Sequence, residues 1–265
     1  MAVFWWNHEV SPGIRVGFTD TGAGNLAFHV GGDADGVRRN RARLQLELGP
    51  GAGPLRFMNQ VHGCAVVQVS AVDAGPTADA MVSTDASLAV LVADCVPVVL
   101  LGESAAGRPV LAVSHAGRPG VASQVVPKTV EAMRSRGAVR IRAWLGPSVC
   151  GACYEVPARL RDEVAAVEPS TFATTSWGTP ALDLPAGVLS QLSAAGVEVA
   201  GMESVGAGRE TPRAGVKIAG VEAAGGNTRR LGACTMEQPG LFSHRRDAAH
   251  NRPQGRFAGV IYVTE

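Results

Sequence analysis

The chain has 265 residues, and 24 Lys and Arg against 23 Asp and Glu leave a formal charge of +1. That near-balance argues against a dedicated nucleic-acid binder, whose footprint is a basic excess. With 46% hydrophobic residues there is material for a sizeable core, and 33 Gly plus 16 Pro fall below the share that marks disorder.

Taken in chain order, the opening MAVFWWNHEV lacks a basic region and meets His8 and Glu9 early, so no secretory signal is expected. Loose, Gly-rich stretches lie at residues 32–36 and 49–54. Val-rich runs bounded by Gly, Pro or Asp predict strands at 65–69, 88–93, 96–101 and 110–114. The runs at 88–93 and 96–101 are far shorter than the roughly 18 apolar residues of a membrane span. A helix is expected over 123–136, with Val126, Val130 and Met133 on one face and Gly137 as its stop. Pro127 is tolerable there because first-turn amides lack partners. A strand at 139–145 follows, then a helix at 157–167 opened by Pro157, and another at 185–195 carrying Val188, Leu189 and Leu192 before Gly196. Residues 205–226 read as loose, and a last strand is expected at 258–263. Strands and helices mix without strict alternation, so the expected class is α+β. Five cysteines, an odd number spread widely, do not suggest a disulfide framework. A reduced, cytoplasmic protein without membrane or nucleic-acid partners is the expectation.

The chemistry concentrates at a few places. In LAVLVADCVPVVLL, Asp94 and Cys95 interrupt two apolar runs, and an aspartate there is costly unless paired. His62 lies in Gln-Val-His-Gly, and His115 follows the apolar run 110–113 in Ser-His-Ala-Gly. His62, Cys95 and His115 form a set suited to zinc, and three protein ligands leave one position for water or substrate. Their separations give no local chelate motif. Cys150 and Cys153 form a Cys-x-x-Cys pair without a thioredoxin-like context or a second pair, so neither a redox nor a metal role is expected. Cys64 and Cys234 read as core or near-site residues. The cluster from Ser243 to Asp247, with Arg245, Arg246 and the later Arg256, suits anion binding, and Thr235 is a hydrogen-bonding group nearby.

Together these segments resemble the YfiH-like family, long labelled laccase-domain or multicopper polyphenol oxidase proteins and now viewed as purine nucleoside phosphorylases. The likeness rests on NLAFHVGGDADGVRRNRARL, NQVHG, DAMVST, LAVLVADCVPVVLL, SHAG, WLGPSVCGACYEV, the Cys234-Thr235 pair and FSHRRDAAHNRPQGRFAGVIYV, in that order. It implies one domain over 1–265, an α-β-β-α layered sandwich, with His62, Cys95 and His115 as both zinc ligands and catalytic groups. It further implies phosphorolysis of adenosine and inosine to base and ribose 1-phosphate, cleavage of methylthioadenosine, and deamination of adenosine. The partners are then purine nucleosides and phosphate, with Arg245, Arg246 and Arg118 as candidate phosphate-binding residues and Asp94 or Glu155 as candidates for proton transfer. The chain departs from the family's HAGWRG: it reads His-Ala-Gly-Arg118-Pro119-Gly, and the proline is expected to bias Arg118 towards extended backbone. A copper-dependent phenol oxidase and a non-catalytic, metal-stabilised module are the alternatives.

Overall fold

Strands β1 (Phe4–Ser11) and β2 (Ile14–Thr19) form an opening hairpin in the computed structural model, which describes residues 2–30, 33–73, 75–201 and 233–264. The hairpin turns at Pro12 and Gly13, and Gly13 takes φ 70°, a conformation that glycine adopts without strain. The stretch 205–226 lies outside the described residues. Helix α1 (Ala34–Leu48) begins within the stretch expected to be loose. Asp33 caps it by accepting from the Asp35 and Gly36 amides, and Gly49 ends it. Then come β3 (Val66–Gln68), β4 (Ala80–Ser83), β5 (Leu88–Val92), β6 (Val96–Ser104) and β7 (Pro109–Ala116). Helices α2 (Arg118–Ala122) and α3 (Val125–Arg134) precede β8 (Ala138–Leu145) and α4 (Ala158–Val167). The chain continues through β9 (Phe172–Thr174), β10 (Pro180–Leu182), α5 (Leu184–Ala194) and β11 (Glu198–Val199), and closes with α6 (His244–Ala249) and β12 (Phe257–Val263).

Two sheets carry the fold, one ordered β1-β2-β12-β5 and the other β11-β8-β6-β7-β4-β3. Strand alternation sorts their side chains. Val99 and Leu101 of β6, with Leu111 and Val113 of β7, face Phe18, Val90, Val92, Phe257 and Ile261 across the inter-sheet core. Val98 and Leu100 of β6 point the other way, onto Val126, Val130 and Met133 of α3 and Val188 and Leu192 of α5. The first sheet's outer face, with Leu91, Val260 and Tyr262, packs under Leu44 and Leu48 of α1. These three cores are the helix–sheet–sheet–helix layering. Phe18 is fully buried at its centre, where a large apolar side chain contributes about 1.5–3 kcal/mol.

The strands expected at 65–69, 88–93, 96–101, 110–114, 139–145 and 258–263 all form, and so do the three expected helices. Local departures have physical causes. Helix α3 starts at Val125 behind Gln124, which sits in left-handed backbone at φ 61°, so Pro127 still falls in the first turn. Pro157 is the residue before α4 rather than its first. Arg118 is not extended: it opens α2 behind Gly117, with Pro119 second, because a helix start asks neither residue for an intrahelical amide bond. The charged run after Ser243 forms the short helix α6. Ser243 caps it by accepting from the Arg246 amide.

Candidate metal and substrate site

Strand register gathers the three sequence candidates at one end of the six-stranded sheet. His115 is next to last in β7 and pairs with Pro97 of antiparallel β6, so Cys95, just before β6, emerges beside it. Strand β4 also runs antiparallel to β7, with Ala80 opposite Ser114, and the His115 amide donates to the Asp79 carbonyl at 2.7 Å. Strand β3 is parallel to β4, and the loop carrying His62 leads into it at the same end. Cys95 lies where the chain leaves the first sheet at β5 and enters the second at β6.

The ligand atoms of His62, Cys95 and His115 all lie within 4.8 Å of one another. Cys95 Sγ is 3.8 Å from His62 Nε2, and the two imidazoles meet edge to face with centroids 4.7 Å apart. Gly117 closes against them: a Cβ there would stand 3.0 Å from both Cys95 Sγ and His62 Cδ2. Behind the cluster sits Asp79, fully buried. Its Oδ1 lies 2.8 Å from His115 Nδ1 and accepts the His62 amide at 2.9 Å, while Oδ2 accepts the Gly63 amide at 2.6 Å and the Val61 amide at 3.4 Å. One carboxylate therefore orients His115 and holds the loop bearing His62. That loop needs holding, since His62 has φ 58°, where a side chain costs about 1–2 kcal/mol.

Burial acts to raise the Asp79 carboxyl, but the His115 hydrogen bond and the loop amides bring it below its ordinary value. As an ionised acceptor it receives a hydrogen bond from the His115 Nδ1–H, which leaves Nε2 as the nitrogen that would ligate a metal. Burial opposes the charged forms of Cys95 and His115, yet their mutual attraction and hydrogen bonds prevail. The thiol comes down to about 6 and the imidazole rises to about 9. A borderline-soft divalent cation fits this set by displacing the Nε2 proton of the imidazolium and pairing with the thiolate, with an outer carboxylate fixing one ligand.

The remaining candidates divide. Asp94, at φ 82°, accepts from Thr235 Oγ1 at 2.6 Å and from the Arg245 amide at 2.8 Å. Both its oxygens are thus taken in pinning the turn that presents Cys95, a positioning role rather than proton transfer. Arg246 is committed as well: its guanidinium donates to Asp247 and to the carbonyls of Thr235, Gln238 and Leu241. That leaves it little capacity for phosphate. Arg245 differs, lying over the Tyr154 ring at 4.8 Å with one bond to the Glu155 carbonyl. The Glu155 carboxylate accepts from Trp177 Nε1 at 2.9 Å. Tyr154 is pushed up first by burial and then by the Cys95 charge, while Arg118 and Arg245 pull it down, so these groups share one field.

Sequence reasoning passed over Asp79 and His29. The signal for Asp79 was an aspartate directly preceding the apolar strand Ala80–Ser83, the same pattern that singled out Asp94. His29 is lowered by burial and then by Arg256, His62, Arg41 and His115, which places it beside the cluster.

A family model described as multi-copper polyphenol oxidoreductase laccase matches residues 16–264. A Streptomyces coelicolor protein named purine nucleoside phosphorylase is 41% identical over 267 residues, covering 95% of this chain and 96% of its own. The structure of YlmD from Geobacillus stearothermophilus superposes with a TM-score of 0.73 at 26% identity, with 100% of each chain covered. That of the hypothetical protein YfiH from Bacillus licheniformis gives 0.75 at 23% identity, covering 99% and 97%.

Proposed function

The chain belongs to the multi-copper polyphenol oxidoreductase laccase family, and on that premise and the site's geometry we propose that it is a zinc-dependent purine nucleoside phosphorylase acting as one domain. The observation that carries this reading is the convergence of His62, Cys95 and His115 within 4.8 Å over the buried Asp79. Those three residues are the metal ligands and the catalytic groups. Held by these three residues, zinc would supply electrophilic stabilisation or a hydroxide at neutral pH.

The chain's own residues do the positioning. Arg245, held at its amide by Asp94, and Arg118, at the start of α2, orient phosphate for attack at the ribose anomeric carbon. Arg256 and His29 complete the polar surround. Tyr154 and the half-exposed Trp177 offer aromatic faces for the purine. Adenosine, inosine and methylthioadenosine are the substrates, and the same site also deaminates adenosine, independently of phosphate. All five cysteines are free, as suits a reducing cytoplasm, and no helix among the described residues is long and apolar enough to cross a membrane.

The family's description also names copper, which this ligand set accommodates. Multicopper oxidation needs many histidines, and of the six here only His62 and His115 stand in a candidate ligand cluster. An intense blue absorption band in the purified protein would reverse the preference. The test is incubation of zinc-loaded protein with adenosine, with and without phosphate, and separation of the products. Adenine and ribose 1-phosphate formed only with phosphate support phosphorolysis, and inosine formed regardless of phosphate supports deamination. No product from zinc-loaded protein overturns the proposal.

A further inference from the structure

The Cys150–Cys153 pair has no partner pair in the sequence, but the fold supplies one. The segment 233–238 runs beside 147–150, joined by a parallel bridge between Ser148 and Cys234, with the Thr235 amide donating to the Ser148 carbonyl at 3.1 Å and the Ser148 amide to the Ala233 carbonyl at 3.2 Å. This brings two turns of the same kind face to face. In one, the Cys153 amide donates to the Cys150 carbonyl at 3.0 Å; in the other, the Glu237 amide donates to the Cys234 carbonyl at 3.1 Å. Each turn presents two side chains three residues apart, Cys-x-x-Cys from one and Cys-x-x-Glu from the other. The four ligand atoms lie within 4.8 Å of one another, and Cys153 Sγ is 3.7 Å from Glu237 Oε1.

We propose that Cys150, Cys153, Cys234 and Glu237 form a second, structural site for a single zinc ion, distinct from the His62–Cys95–His115 cluster. A tetrahedral ion with Zn–S near 2.3 Å sets its ligand atoms about 3.8 Å apart, close to the spacing already present. Ligand pairs spaced Cys-x-x-Cys on turns are how structural zinc sites are built, and four protein ligands leave no open position. Three thiolates and one carboxylate favour zinc over magnesium or calcium. Cys153 and Cys234 are buried while Glu237 is exposed, so the ion enters from the Glu237 side.

The site also explains how the far wall of the active centre is held. Cys234 is followed by Thr235, whose hydroxyl pins Asp94 beside Cys95, and Cys153 by Tyr154, which carries Arg245. An ion joining the two turns ties both walls together without touching substrate.

Zinc content, measured by mass spectrometry on full-length protein purified with reductant and zinc, tests this. Wild type should carry about two ions per chain, and Cys95→Ala and Cys153→Ser about one each. With cobalt in place of zinc, the thiolate-to-metal charge-transfer band should persist in Cys95→Ala and be lost when Cys150→Ser and Cys153→Ser are added to it. X-ray absorption on wild type, which needs no variant to fold, should give about two sulfur ligands per zinc averaged over a one-thiolate and a three-thiolate site. Metal-free Cys95→Ala, or about one sulfur per zinc in wild type, overturns the proposal. So does a disulfide among these three cysteines in zinc-supplied, reduced protein. Failure of the His62–Cys95–His115 assignment reads differently: Cys95→Ala then keeps the full wild-type zinc content.

Discussion

The two sulfur-bearing clusters are built on different kinds of backbone. His62, Cys95 and His115 hang from strand ends whose register is set by the sheet, and the buried Asp79 braces two of them from behind. Cys150, Cys153, Cys234 and Glu237 sit on two turns joined by one bridge. The first cluster offers three donor groups on a fixed frame, which would suit an ion that must leave room for substrate. The second has four ligands and little frame of its own, which suits an ion that supplies the rigidity. Preorganisation by secondary structure and cross-linking by metal are alternative ways to immobilise side chains, and the two proposed sites would set them side by side.

The largest effect expected is at the first cluster. Cys95→Ala should lower metal affinity there by more than the roughly 100-fold that loss of an outer partner costs, and should abolish nucleoside cleavage. Chelator competition and product chromatography read both. Asp79→Asn tests the frame: it keeps the shape but not the charge, and metal affinity at the first cluster should fall about 10–100-fold with the second cluster unaffected. Unchanged affinity would mean that the strand ends alone suffice. At the seam between the clusters, Thr235→Val leaves the buried Asp94 short of a donor and should cost about 1.5–3 kcal/mol, read by urea unfolding. Ser243→Ala, which removes the cap of α6, should cost about 1 kcal/mol. The two arginines that follow should separate: Arg245→Ala raises the KM for phosphate, whereas Arg246→Ala lowers the melting temperature, because the latter side chain holds three backbone carbonyls and the former one.

Much of the scaffold is legible in the residue string. The six Val-rich strands and three helices form where period and stop signals place them, because a run such as Leu88–Val92 has no better use than a buried strand. The elements passed over carry subtler signals. Helix α1 buries only Val37, Leu44 and Leu48 amid charge, so its apolar stripe is thin, although Asp33 and Gly49 mark its ends. The β1–β2 hairpin is announced by Pro12 and Gly13 between β-formers.

By itself the sequence determined most of the apolar strands and the three residues worth watching, since hydrophobic period and a polar interruption of a buried run are local properties. It could not determine which residues stand beside them. That Asp79 reaches both His115 and the 61–63 loop, that Arg246 turns inward while Arg245 lies over Tyr154, and that Cys234 and Glu237 stand beside a pair some 80 positions earlier are consequences of strand register and of one bridge between distant segments. Side-chain chemistry is written along the chain, but proximity arises only when non-local backbone pairing closes, and a metal or substrate site is a statement about proximity.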